Sequence, residues 1–153
     1  MRPQKRRLAI AMSPEEIDAF MAAERTCRVG TVGRAGTPHV SPLWFAWHDR
    51  CLWLYSLTGA QRWADLQANP AVSVVVDAGH DYGELRGVEL LGTVEVVGDV
   101  PHSTARDPDP VLAEPERLFA NKYLGQDEMP VDGRHAWLRL RPDKVVSWDF
   151  RKS

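Results

Sequence analysis

The sequence predicts a mainly β domain with a few short helices, its strands closed into a barrel. Three observations predict this. Short runs of alternating or β-branched apolar residues recur along the chain, separated by turn clusters. Helical spacing is confined to a few short segments. No internal repeat, low-complexity tract or linker breaks the pattern, so the 153 residues fit one domain, 1–153. Many short antiparallel strands with so little helix favour a closed barrel over an open sheet.

The elements follow in order. Residues 1–12 begin with Arg2, Lys5, Arg6 and Arg7 and read as a flexible, solvated basic tail. Ser13-Pro14-Glu15-Glu16 then opens a helix: Ser13 as N-cap, Pro14 at N1 and Glu16 at N3 complete a capping box. Ile17, Phe20 and Met21 repeat at helical spacing, carrying the helix to about Arg25. Cys27 to Val32 alternates as a strand, Gly33 to Pro38 is a turn cluster, and His39 to Trp47 is the second strand of a hairpin. His48-Asp49-Arg50 turns the chain into a third strand, Cys51 to Ser56, so that a meander forms. Gln61 to Gln67 has helical composition and is stopped by Asn69-Pro70. Val72 to Val76 has the pattern of a strand buried on both faces.

After a polar loop, Glu84 to Val97 reads as one long strand, or two joined at Gly92, where a bulge is expected. Pro101 to Pro110, with three prolines, is a loop. Glu114 to Tyr123 is a second clear helix with Leu118 and Phe119 as apolar contacts. His135 to Leu140 and Lys144 to Phe150 are the last strands.

Bulk composition excludes several function classes. The formal net charge of −2 and pI near 6.2 argue against a general nucleic-acid or membrane-surface binder. No stretch approaches the roughly 20 apolar residues of a membrane span, and Leu8 to Met12 is too short for a signal-peptide core. Cys27 and Cys51 lie in apolar segments without metal-ligand spacing and read as reduced core thiols. A cytoplasmic protein is expected. The five histidines show no metal spacing either, and His80 beside Asp81 reads as a loop pair. Six tryptophans are many for this length, and suit stacking on a planar ligand or a large subunit interface.

The segment with most chemistry runs from Thr31 to Val76. A strand ending in Tyr55-Ser56 turns through Gly59 into a helix carrying Arg62. Free backbone N–H groups at a helix start favour an anion. The Ser56 hydroxyl and the Arg62 fork would complete a phosphate cradle. The alternative reading is a surface arginine paired with Asp65. One hairpin away, Pro42 cannot donate a ladder bond, so Val40 to Phe45 includes an edge or a bulge. Its neighbouring N–H groups would be free to address the polar rim of a flat ring.

Taken together, three features resemble the pyridoxamine-phosphate-oxidase-like split β-barrel superfamily. They are the hairpin Thr31-x4-Gly36-x-Pro38-x2-Ser41-Pro42-x-Trp44-Phe45, the strand ending Tyr55-Ser56 before a basic turn and helix, and Asn69-Pro70 leading into an apolar strand. Arg86 to Glu95 fits the long strand that follows in that family, and the resemblance runs from Ser13 to Lys152. It implies a split β-barrel of Greek-key type, a homodimer with the coenzyme groove between subunits, and a flavin-type coenzyme. It also implies that Ser41, Pro42, Leu43 and Trp44 lie along the flavin ring. Ser56, Gln61 and Arg62 would then hold the phosphate-bearing tail. The oxidases carry an Arg-Lys pair at the positions of Gln61 and Arg62, so Gln61 removes one cation from this site. No counterpart of the oxidases' basic substrate-phosphate residues is found, which argues against pyridoxamine-phosphate oxidation itself.

The nearer resemblance is to the flavin/deazaflavin oxidoreductase branch, through Ser41 to Phe45, Gln61 to Leu66 and Val145 to Phe150. It implies an oxidoreductase using coenzyme F420, with FMN as the alternative. The reduced coenzyme brings the hydride, so no catalytic side chain is named and no metal is expected. Trp44, Trp63 and Trp148 would wall the open face of the ring, or else pack in the core or interface. His39, close to the ring strand, is the one histidine worth testing as a proton donor. A non-catalytic flavin, deazaflavin or haem carrier is the rival from another class.

Overall fold

Seven strands form one antiparallel sheet in the computed structural model, which describes residues 1–103 and 109–153. They are β1 (Cys27–Val32), β2 (Pro38–Leu43), β3 (Ala46–His48), β4 (Cys51–Leu57), β5 (Ala71–Ala78), β6 (Arg86–Val97) and β7 (His135–Asp149). Their order is β2-β1-β5-β6-β7-β4-β3. Helices α1 (Pro14–Ala23), α2 (Gln61–Ala68) and α3 (Ala113–Leu124) complete the mainly β architecture that the sequence predicts.

Local signals hold where they rest on local chemistry. At α1 the Glu16 N–H donates to the Ser13 hydroxyl and the Ser13 N–H to the Glu16 carboxylate, both at 3.1 Å. The β1–β2 hairpin closes through the Gly33 N–H donating to the Thr37 carbonyl (3.0 Å), with Gly36 at φ 80°. Asp49 and Arg50 both take positive φ, the two-residue turn that suits a twisted hairpin. Gly92 marks a register shift between β6 and β7.

Three expectations are corrected. First, His39 to Trp47 is not one strand, and the meander does not continue. The chain leaves β2 at Leu43 and re-enters the sheet as β3 at Ala46, at the opposite end of the strand order. Three Cα steps span at most about 11 Å. The two edges must therefore approach each other, and the sheet curls into a half-closed barrel. Second, β5 is buried on one face only: Val72, Val74 and Val76 point into the core, while Ala71 and Ser73 are exposed. Third, His135 to Asp149 is one strand. Leu91 pairs with Lys144 and Gly92 with Pro142, so Asp143 is the extra residue of a bulge that absorbs the proline. Of the predicted loop Pro101 to Pro110, residues 104–108 lie outside the described residues.

The barrel interior is filled by one core that includes Phe45, Leu52, Leu54, Val88, Leu90, Leu138 and Leu140. A second core lies where α3 covers β4 and β7, built from Trp53, Trp137, Phe119, Leu112 and Val97. Four of the six tryptophans serve these cores. Trp53 and Trp137 are fully buried in the second, and Trp47 and Trp63 pack against the first. The tryptophan excess thus reflects two cores more than one ligand face.

The basic side chains of Arg2, Lys5, Arg6 and Arg7 are solvated. The backbone beneath them is tied to β7. The Arg2 N–H donates to the Asp143 carbonyl (2.6 Å), and the Gln4 amide exchanges two bonds of 3.0 Å with the Ser147 backbone. Among the described residues no helix is long and apolar enough to cross a membrane.

Candidate functional site

The seam where the barrel edges meet carries the polar cluster. β3 covers only residues 51–53 of β4, so the end of β4 faces the free edge of β2 across a gap. Pro42 lies on that edge strand, as its missing donor predicts. α2 follows β4 and closes this end of the barrel against β1.

Alternation sets which side chains meet in the gap. Ser41 pairs in register with Val29, a core residue, so Ser41 and its same-face neighbours His39 and Leu43 turn inward, while Val40 and Pro42 turn out. Ser56 follows Leu52 and Leu54 on the inner face of β4 and is fully buried. Arg62, in the first turn of α2, reaches between them. It donates through Nε to the Ser56 hydroxyl (3.2 Å) and through Nη1 to the Ser41 hydroxyl (3.0 Å). One arginine thus spans a seam that no backbone ladder closes.

The arginine–aspartate alternative does not hold. Asp65 makes no ion pair with Arg62 among the described residues. Its side chain is only 1% exposed, and it accepts from Thr31 Oγ1 (2.8 Å) and Gln61 Nε2 (2.9 Å) and bonds the His39 ring at Nδ1 (2.8 Å). The bond from Gln61, then those from Thr31 and His39, hold its carboxyl below the usual carboxylate value. Gly33 lets this carboxylate come close: a Cβ there would stand 3.1 Å from Asp65 Oδ1.

Arg62 itself is half-buried, and desolvation pulls its pKa below the ordinary arginine value. No carboxylate pairs with it among the described residues. Two of its five N–H donors are spent on neutral hydroxyls, and the charge is left uncompensated. Above it, α2 starts at Ala60 without a side-chain cap, which leaves its first N–H groups open.

The structure therefore brings together Ser41, Ser56 and Arg62, with Leu43 on the same face of β2. Gln61 is adjacent but turned onto Asp65. The three tryptophans do not form one wall within the chain. Trp44 is 46% exposed and lies on α3, stacked on Tyr123 with ring centroids 4.5 Å apart and planes 7° apart. Trp63 packs against the main core. Trp148 lies on the outer face of β7, since its neighbours Ser147 and Asp149 point inward, and its ring covers Gly87.

Sequence reasoning missed Asp65 and Thr31 as members of the cluster. The Gln61–Asp65 spacing of four was a legible helical pair. The contacts to β1 and β2 were not legible. It also missed α3's part: the Tyr123 hydroxyl accepts from the Phe45 N–H (3.1 Å) and lies 2.7 Å from the Arg25 carbonyl, pinning the crossing between β2 and β3. Lys122 adds its ammonium 3.9 Å from the centre of the Phe45 ring.

The family model described as pyridoxamine 5'-phosphate oxidase matches residues 13–149. No curated protein sequence matches the chain. Among solved structures, a conserved hypothetical protein of Mycobacterium tuberculosis is similar at TM-score 0.80 and 27% identity, covering 97% of this chain and 92% of its own. A protein described as an F420 reductase is similar at TM-score 0.62 and 28% identity, over 87% of this chain and 98% of its own. A FAD-binding protein of Mesorhizobium loti follows at TM-score 0.59 and 25% identity, over 90% and 93%.

Proposed function

Because this chain belongs to the pyridoxamine 5'-phosphate oxidase family of split β-barrels, we propose that it is an F420-dependent reductase acting on an unsaturated or conjugated small molecule. The observation that carries this reading is Arg62. A half-buried guanidinium that, among the described residues, bonds the hydroxyls of Ser41 and Ser56 and pairs with no carboxylate is a site for an anion. The open start of α2 adds backbone donors beside it.

The residues present fit a phosphate-bearing flavin or deazaflavin. Arg62, Ser41 and Ser56 would hold its phosphate, and the free edge of β2 at Pro42 and Leu43 would flank its ring. When bound and reduced, such a coenzyme supplies a hydride. The chain's own part is to bind and orient the ring and to keep its acceptor face open. Exposed Trp44, supported by Tyr123, is the side chain best presented for stacking there. F420 is favoured over FMN because Gln61, bonded to Asp65, adds no cation to the site. The similarity to an F420 reductase supports this choice, and the FAD-binding neighbour supports a flavin as the second reading.

The partner in this reading is a second copy of the chain. The outer face of β2, β1 and β5 presents a groove of about 590 Å³ lined by Val32, Val40, Ala71 and Val75. Val40 is 74% exposed. Such a face suits a cytoplasmic homodimer with the coenzyme at its interface.

Fluorescence titration with F420 and FMN tests the proposal. F420 is expected to bind at least about tenfold more tightly. A protein that purifies yellow with FMN, or that prefers FMN in titration, overturns the F420 choice and leaves the family assignment untouched.

A further inference from the structure

Asp65 places a buried negative charge beside the proposed anion site. Its carboxylate lies one turn along α2 from Arg62 and meets His39, two residues before Ser41 on the same face of β2. Gln61 and Thr31, its other two partners, are neutral, and Arg62 spends no bond on it. The charges of the cluster are thus Arg62 on one side and Asp65 on the other. Only a protonated His39 would offset the second. Among the described residues of the cluster, an arriving phosphate meets one cation without an ion pair, Arg62, and, behind it, an anion fixed in a poorly hydrated corner.

These charges discriminate between two kinds of phosphate. A phosphodiester carries one negative charge, which Arg62 alone balances. A terminal phosphomonoester carries close to two, and its second charge would face Asp65, with no second Lys or Arg bonded into the cluster among the described residues. Repulsion between charges is several-fold stronger here than in bulk water. We propose that Asp65 is a specificity-determining residue that restricts the Arg62 site to singly charged phosphodiesters. This inference rests on the reading of Arg62 as the phosphate anchor.

The test uses three probes that share one ring: FMN, its singly charged diester riboflavin cyclic phosphate, and riboflavin. Affinities are measured by flavin fluorescence at about pH 8, where the monoester is dianionic. In the wild-type protein the cyclic diester should bind at least about fivefold more tightly than FMN, despite its smaller charge. In Asp65→Asn the ratio should fall to about one or invert, with riboflavin unchanged. Thr31→Val loosens the same tie but keeps the charge, and should leave the ratio within about twofold of wild type. The wild-type comparison decides the matter even where Asp65→Asn fails to fold. FMN binding at least as tightly as the diester in the wild type overturns the role of Asp65. So does an unchanged ratio in a folded Asp65→Asn. If Arg62→Ala leaves all three affinities unaltered, the phosphate anchor itself has failed, and this inference falls with it.

Discussion

At the scale of single residues, Arg62 and Asp65 sit three positions apart and have opposite assignments. Arg62 bridges two hydroxyls and pairs with no carboxylate among the described residues. Arg62→Ala is expected to weaken coenzyme binding by about 1.5–3 kcal/mol, the scale of a charge-assisted hydrogen bond. Its melting temperature without ligand should move little, because removing a desolvated charge offsets the two lost bonds. Calorimetry and a thermal melt check both. Asp65 and Asp149 are buried carboxylates held below the ordinary value, Asp65 chiefly by Gln61 and Asp149 chiefly by Arg151. A folded-state value below the unfolded one stabilises the protein above the ordinary carboxylate range. That contribution is lost as pH falls through the folded value. Urea unfolding should therefore show stability dropping below about pH 4, and less steeply in Asp149→Asn.

At the scale of elements, the close approach of β5, β6 and β7 depends on a missing side chain. A Cβ at Gly87 would lie 2.4 Å from the Trp148 ring and 2.9 Å from the Val76 carbonyl. Gly87→Ala is expected to destabilise by about 1–3 kcal/mol through overpacking, and to shift tryptophan emission as the Trp148 ring is displaced. A variant with unchanged stability and emission would show that the strands can part at no cost. The α1 capping box is a smaller effect: Ser13→Ala should cost about 1 kcal/mol, read from urea unfolding.

At the scale of the whole molecule, the outer face of β2, β1 and β5 carries an open groove in which Val32, Val40, Ala71 and Val75 lie among Arg28, Ser73 and Glu89. Val40 lines it and is exposed. If two copies meet there, Val40→Asp buries an unpaired charge at the interface and should convert the dimer to monomers in light scattering at micromolar concentration. The monomer should keep its secondary structure, since Val40 points away from the barrel core. Val40→Asp remaining dimeric would place the interface elsewhere.

The sequence by itself determined what short-range sterics and hydrogen bonding decide. The Ser13 capping box, the β1–β2 hairpin and Pro42 on an edge strand all follow from the geometry of a few adjacent residues, while the irregularity expected at Gly92 falls opposite it, at Asp143 of β7. The pairing of Ser56 with Arg62 was legible in the turn before α2, whereas Ser41, assigned to the ring by resemblance, joins them only in the folded chain, and Gln61, grouped with them, turns to Asp65. Only the tertiary structure decided that Trp44-Phe45 carries the chain from one edge of the sheet to the other. Only it decided that Asp65 turns to Thr31 and His39 rather than to Arg62, and that most tryptophans fill two cores. Closure of the barrel fixes these outcomes. It brings together strands distant in sequence, and a side chain between several polar groups takes the partners that the closed sheet holds within hydrogen-bonding reach.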